Sequence, residues 1–122
     1  MKKLKDLQSK IGVEFENILL LEEAVTHRSY LNENRTLKHG HNERLEFLGD
    51  AVLELATTEE LYHRFPKEPE GELTIYRAAL VNTKALAEVA EKLGLDEEVL
   101  LSRGEARDFN GRGKESISKA IN

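Results

Sequence analysis

Apolar residues recur every three to four positions along most of the chain, a spacing that is typical of amphipathic helices. The first predicted helix covers residues 4–11 and ends near Gly12. The second covers about residues 17–30, and the polar stretch 31–41 predicts a loop. Alternation with a period of two is nearly absent, so strands are not expected. The pattern therefore predicts an all-α fold.

The longest predicted helix begins after Asn42, a residue that is favoured at the N-cap, and ends at Pro66. Its apolar band is wide, so we expect this helix to be central and heavily buried. Gly49 lies inside the helix and costs roughly 0.8–1 kcal/mol relative to alanine. A glycine at that cost suggests that another backbone approaches the helix closely.

The second half of the chain is predicted to hold a helix at about 73–93, a short helical piece at 96–101 and a loop at 102–113. A last segment starts near Lys114 and carries apolar residues at helical spacing up to Asn122. It has the pattern of the first turns of a helix that continues. An all-α domain without that helix leaves an apolar face uncovered, so we expect either a second chain over this face or a longer parent protein.

Composition fits one globular domain, since 39% of the 122 residues are hydrophobic and 34% are charged. The absence of cysteine excludes disulfides and cysteine zinc sites, and it fits a reducing cytoplasm. Neither a secretory signal nor an apolar run long enough to cross a membrane is present. The net charge of −5 argues mildly against nucleic acid as a partner. That conflict disappears if the acids concentrate in a site where metal cations restore positive charge.

Four acids follow one another along the longest predicted helix: Glu43, Glu46, Asp50 and Glu54. Steps of three and four residues place them on one stripe, where like charges cost stability unless something compensates them. Mg²⁺ is one candidate, because it prefers carboxylate oxygens. The alternative is the solvated face of an amphipathic helix, which spacing alone favours. Gly49 beside Asp50 favours a functional site, whereas Glu54 is interpreted as a solvated charge.

The other polar residues carry less information. Glu70 lies between Pro69 and Gly71 and, on chemistry alone, is an ordinary loop acid. The histidines form no HExxH pattern. His39 and His41 give a weak metal signal within a loop, and His27, near a helix end, is interpreted as structural.

The run at residues 42–53 resembles the signature of the ribonuclease III family, and it reads NERLEFLGDAVL. Three further stretches resemble the family's other blocks in the same order: residues 21–33, 70–81 and 101–105. The resemblance covers nearly the whole chain. It implies an all-α, ribonuclease III-like endonuclease domain, a helical bundle that forms a homodimer and cuts double-stranded RNA in the cytoplasm. The cofactor it implies is Mg²⁺, with Mn²⁺ as a substitute. The implied products carry 5′-phosphate and 3′-hydroxyl ends, and the implied role is RNA processing such as that of rRNA precursors.

The resemblance also implies roles for single residues. Glu46 and Asp50 match the two main carboxylates of the family's metal site, and are the catalytic candidates. Glu43 matches a supporting acid one turn earlier, and Glu70 matches a further acid of the next segment. Phe47 matches the aromatic residue that packs into the partner subunit at the dimer interface.

The chain departs from the family at its end. The family has a second acidic cluster, an Asp or Asn followed three residues later by Glu. Either Asn122 occupies the first position of that cluster and is a metal ligand, or the whole cluster lies beyond it. We therefore expect residues 1–122 to be an incomplete nuclease domain without the family's double-stranded-RNA-binding domain. The alternatives are a catalytically inactive dimerisation or RNA-binding module of the same family, and an unrelated acidic helical interaction domain.

Overall fold

The computed structural model describes residues 2–112, and it describes the side chains of residues 4–107. Helices dominate this part of the chain, and its only extended pairing is an isolated bridge between Thr26 and Leu100. The all-α prediction is confirmed. In chain order the helices are α1 (Lys2–Ile11), α2 (Ile18–Ala24), α3 (Arg28–Glu33), α4 (Glu43–Arg64), α5 (Glu70–Leu80), α6 (Thr83–Leu93), a 3-10 turn (Leu95–Glu97) and α7 (Arg103–Arg112).

The buried apolar cluster of the amino-terminal part joins α1 to α2. Leu7 of α1 is fully buried, and it packs with Leu4, Leu21 and Val25. Lys10, at the end of α1, pairs with the carboxylates of the 3-10 turn region, 3.6 Å from Glu97 and 3.4 Å from Glu98. This cluster fixes α2, and therefore the chain segment that follows it.

The predicted helix over residues 17–30 is interrupted between Ala24 and Arg28, and α3 continues to Glu33, into the predicted loop at 31–41. Thr26 lies in the interruption and is fully buried. Its carbonyl accepts a hydrogen bond from the amide of Asn42 (2.9 Å), and the neighbouring Val25 carbonyl accepts one from Leu100 (2.7 Å). These long-range bonds take up backbone groups that a continuous helix would have used internally.

The long central helix is confirmed as α4, but its predicted burial is wrong. Leu61 is the one buried residue of α4, whereas Phe47 and Leu55 are 84% and 68% exposed. One side of α4 packs against α5, which runs back along it: Arg77 donates to Thr58 Oγ1 at 3.0 Å, and the rings of Phe65 and Tyr76 lie 5.3 Å apart. No element of residues 2–112 covers the remaining apolar side.

The predicted helix over residues 73–93 is two helices, α5 and α6. Asn82 separates them with an extended backbone, and its side-chain oxygen accepts from the amide of Ala85. An asparagine with that geometry starts a new helix rather than continuing the old one. Gly94 ends α6 in the left-handed conformation, as its position predicted. Glu70 belongs to the first turn of α5 and not to the loop before it.

The segment after α6 also differs from the prediction. A 3-10 turn at Leu95–Glu97 replaces the predicted helical piece at 96–101, and α7 replaces the predicted loop at 102–113. Ser102 caps α7, since its hydroxyl accepts from the amide of Glu105 at 3.1 Å. The predicted last segment from Lys114, with Asn122, lies outside the described residues.

Candidate active site

The acidic stripe lies at the amino-terminal end of α4, where Glu43 and Glu46 occupy the first turn. Negative charge is favourable there because the helix dipole is positive at this end. Asn42 precedes the helix as predicted, but its side chain makes no capping bond; it donates to the Ala24 carbonyl at 3.2 Å. His41 supplies the cap instead, because its Nδ1 accepts from the amide of Glu43 at 3.3 Å. The start of α4 is therefore held by two hydrogen bonds, one from the Asn42 side chain to Ala24 and one from the Glu43 amide to His41.

A small hollow of about 210 Å³ opens beside this stripe. The carboxylate-bearing residues Glu46 and Asp50 both border it, one helical turn apart. Gly49 lies between them, and a Cβ atom at this glycine would meet no other atom within 4 Å. The expected close approach of a second backbone is therefore not found in the described part of the chain. The neutral residues that complete the lining are Ala24, Asn42, Leu45 and Leu53.

The electrostatics of the stripe are unfavourable without a cation. Burial raises the pKa of Glu46, and the charges of Asp50 and then of Glu43 raise it further. Glu43 has partial compensation from Arg28, whose guanidinium lies 3.8 Å from its carboxylate with both side chains exposed. Glu46 therefore carries its charge in a place where it is repelled and partly desolvated.

Two carboxylates at this spacing fit one side of a Mg²⁺ site, since Mg²⁺ is bound in proteins by one or two carboxylates and keeps several waters. Within the described residues, no three Asp, Glu or His side chains are arranged to hold a metal ion. Glu46 and Asp50 would thus be part of a ligand set that other residues complete.

Glu70 and Glu54 do not join this pair. Arg77 of α5 lies beside Glu54 of α4, at 3.8 Å. Glu70 precedes Arg77 by seven residues and lies toward the far end of α4, which places it roughly 15 Å or more from Asp50 by helical rise. Glu54 is an exposed acid with its own partner, as its interpretation as a solvated charge predicted. Asn122 lies outside the described residues.

An exposed apolar face adjoins the stripe on α4. Phe47 is the most exposed large apolar side chain among the described residues, and Leu48, Val52 and Leu55 are each at least 59% exposed. We refer to these four residues as the α4 apolar face. A contiguous apolar surface of this kind is typical of a site where another molecule binds. The assignment of Phe47 to a dimer interface stays a prediction.

The histidines near the stripe have structural partners. Nδ1 of His27 accepts from the amide of Ser29 and begins α3, in agreement with its structural interpretation. The imidazole of His39 is 6% exposed, with Nδ1 2.9 Å from the Gly40 carbonyl and Nε2 3.4 Å from the carboxylate of Glu22. The sequence did not predict that His41 caps α4 or that the His39 imidazole is buried, because both roles depend on how the loop folds and not on residue spacing.

Within residues 2–112, no helix combines the length and apolar character that a membrane span requires.

Comparisons with known proteins all indicate the same family. The family described as Ribonuclease-III-like matches residues 17–121. Ribonuclease 3 of Enterococcus faecalis is 48% identical over 112 residues, which are 92% of this chain and 48% of that protein. Ribonuclease 3 of a Geobacillus species is 53% identical over 103 residues, which are 84% of this chain and 42% of that protein. The chain thus spans about half the length of these curated relatives.

Solved structures agree with the sequence comparisons. The nuclease domain of ribonuclease III from Campylobacter jejuni superimposes with a TM-score of 0.83 at 40% identity, over 99% of this chain and 78% of that one. A second structure of that domain gives a TM-score of 0.82 at 40% identity, over 97% of this chain and 78% of that one. In that Campylobacter jejuni domain, the region involved in dimer formation is reported to be structurally flexible.

Proposed function

Since this chain belongs to the ribonuclease III family, we propose that it is the nuclease part of an endoribonuclease that cuts double-stranded RNA. The observation that carries the proposal is the pair Glu46 and Asp50, one turn apart at a hollow on α4, where their charges repel. Such a pair is stabilised by a divalent cation and is of little use to a purely structural helix. The proposed substrates include precursors such as those of rRNA, and the proposed place of action is the cytoplasm.

The proposed reaction is hydrolysis of one phosphodiester bond in each strand. Mg²⁺, or Mn²⁺ in its place, supplies the activation of a water and stabilises the leaving oxygen when it is bound. Glu46 and Asp50 would hold the cation through their carboxylate oxygens, and Glu43 would add negative charge from the turn before. The water oxygen loses a proton and bonds to phosphorus while the bond from phosphorus to the 3′-oxygen breaks. The 3′-oxygen takes up a proton, so one water is consumed for each bond cut. The products are a 5′-phosphate and a 3′-hydroxyl.

We further propose that the α4 apolar face binds a second copy of the chain. Phe47 is 84% exposed beside Glu46, so a copy seated on this face would border the acidic stripe. Two stripes facing one groove suit a duplex, whose two strands need two cuts and whose A-form shape is read through phosphates and 2′-hydroxyls. Glu70 does not border the hollow that Glu46 and Asp50 line, so we propose that it would reach such a site from the second copy.

The remainder of the site is proposed to lie after α7. Asn122, or residues beyond it, would supply the second acidic cluster that the family resemblance implies. A double-stranded-RNA-binding domain would follow in the half of the relatives' length that this chain does not span. That arrangement reconciles the net charge of −5 with an RNA substrate, because much of the basic surface would lie elsewhere.

The test is cleavage of a plain RNA duplex with Mg²⁺, carried out on the 122-residue chain and on the full-length protein that contains it. We expect cleavage by the full-length protein, and none by the 122-residue chain if the second acidic cluster lies beyond Asn122. Absence of cleavage by both would overturn the enzyme proposal.

A second candidate function is that of a catalytically inactive module that dimerises or binds RNA. The observation that favours it is the lack, within residues 2–112, of three ligand side chains around one point. Binding of the duplex by the full-length protein without any Mg²⁺-dependent cut would select this candidate.

A further inference from the structure

The amino terminus of α7 is held by two side chains of α3. The amide of Ser102 donates to the hydroxyl of Ser29 at 2.9 Å, and the amide of Arg103 lies 3.3 Å from both carboxylate oxygens of Glu33. The first amides of a helix have no partner within the helix, so acceptors outside it decide where the helix starts. Here those acceptors come from a helix about seventy residues earlier in the sequence.

The Ser29 hydroxyl has a second neighbour besides the Ser102 amide. The amide of Ser29 donates to Nδ1 of His27 at 3.1 Å, which makes His27 the cap of α3. The same Nδ1 lies 2.7 Å from Ser29 Oγ, a hydrogen-bond distance. Ser29 Oγ therefore lies between the His27 ring and the Ser102 amide. One hydroxyl thus links the cap of α3 to the approach to α7.

The same region also fixes the acidic helix. The amide of His27 donates to the Leu100 carbonyl at 2.9 Å, one residue from the Thr26 carbonyl that receives the Asn42 amide. Asn42 in turn accepts the amide of Glu46 through its carbonyl at 2.8 Å. The segment of Thr26 and His27 therefore hydrogen-bonds both to the residue before α4 and to the strand-like residue Leu100 that precedes α7.

We propose that Ser29 is a positioning residue, whose hydroxyl sets the direction in which α7 leaves this junction relative to the acidic stripe of α4. The proposal rests on the proposed nuclease function, in which the chain after α7 supplies the remaining acids of the site. Ser29 touches no reacting atom in this scheme. It acts through the Ser102 amide, and a change there moves α7 as a unit.

The first test is amide exchange in the 122-residue chain. Ser29→Ala removes the acceptor of the Ser102 amide, and we expect that amide to exchange at least tenfold faster, while Ser29→Thr keeps a hydroxyl and restores protection. The matched control is Ser9→Ala, which removes a helical serine hydroxyl bonded to the Lys5 carbonyl at 3.2 Å in α1, far from α7 in sequence. Unchanged protection of Ser102 in Ser29→Ala would overturn the proposed contact.

The second test uses the full-length protein and an RNA duplex, at a temperature where every variant is folded. We expect Ser29→Ala to lower kcat about tenfold with KM for the duplex within twofold, Ser29→Thr to restore kcat, and Ser9→Ala to match the wild type. A wild-type protein that cleaves, combined with unchanged kcat in Ser29→Ala, would overturn the positioning role alone. A wild-type protein that does not cleave would overturn the proposed function, and the positioning role with it.

Discussion

Glu46 and Asp50 lie one helical turn apart on α4 and border the same hollow. Burial raises the pKa of Glu46 above its ordinary value of 4.5, and the charge of Asp50 raises it further. The protein keeps two acids where one of them is costly to ionise. Acids with perturbed pKa values cluster at functional sites, because selection for function can keep an acid that costs the protein stability.

The raised pKa of Glu46 predicts how stability depends on pH. Below pH 4.5 the carboxyl is protonated in the folded and unfolded states alike, so it contributes no pH dependence. As the pH rises through the interval between 4.5 and the raised folded-state pKa, the folded state holds the proton more tightly, and stability falls. Above that interval the loss is complete. Glu46→Gln should therefore raise Tm by up to a few degrees at pH 7 and have no such effect at pH 4.

The measurement is thermal unfolding of Glu46→Gln at both pH values in the absence of divalent cations. Glu59→Gln, which neutralises an exposed acid of the same helix, is the matched control and should change Tm little at either pH. A lower Tm for Glu46→Gln at pH 7 would show that the carboxylate is stabilising, contrary to this prediction.

Removing either carboxylate should abolish catalysis without unfolding the protein. We expect Glu46→Gln and Asp50→Asn to reduce duplex cleavage by the full-length protein at least a hundredfold, since each removes a proposed cation ligand. Glu54→Gln is the control, because Glu54 faces Arg77 rather than the hollow, and it should keep near wild-type activity. Circular dichroism should be unchanged in all three. Loss of the helical signal in Glu46→Gln or Asp50→Asn would make these acids structural instead.

The sequence was sufficient to predict features that depend only on residues close to one another along one helix. α4 and its stripe of Glu43, Glu46 and Asp50 follow from a period of 3.6 residues, and all but the first residue of the family signature lie within this helix. The comparisons confirm the family that this run indicated. The break at Thr26 could not be predicted in this way, because it depends on hydrogen bonds to Asn42 and on the pairing with Leu100.

Two further errors have specific physical causes. The glycines of residues 102–113 favoured a loop, but the cap at Ser102 and the bonds from α3 stabilise a helix there. The width of the apolar band on α4 was equated with burial inside one chain. The 84% exposure of Phe47 shows that a wide apolar band does not by itself mean burial among the described residues.

The exposure of Phe47 predicts a measurable effect on self-association. If the α4 apolar face binds a second copy, Phe47→Ala should raise the dimer Kd at least tenfold, which is about 1.4 kcal/mol, since buried aromatic residues carry much of the binding free energy of interfaces. Sedimentation equilibrium over a range of concentrations measures this. Leu20→Ala, which trims a 48%-exposed residue of α2, is the control and should leave Kd unchanged. Equal Kd values for Phe47→Ala and the wild type would place the interface elsewhere.

The cap of α4 gives a prediction that does not depend on function. The imidazole of His41 accepts the amide of Glu43, whereas the Asn42 side chain is directed to Ala24. His41→Ala should therefore lower the free energy of unfolding by about 1 kcal/mol, the usual effect of losing a helix cap. The Glu43 amide should also exchange faster. Lys38→Ala, an exposed change in the same loop, should alter neither. Denaturant unfolding measures the free energy of unfolding, and amide exchange measures protection of the Glu43 amide. If neither changes in His41→Ala, water caps this helix as well as the imidazole does.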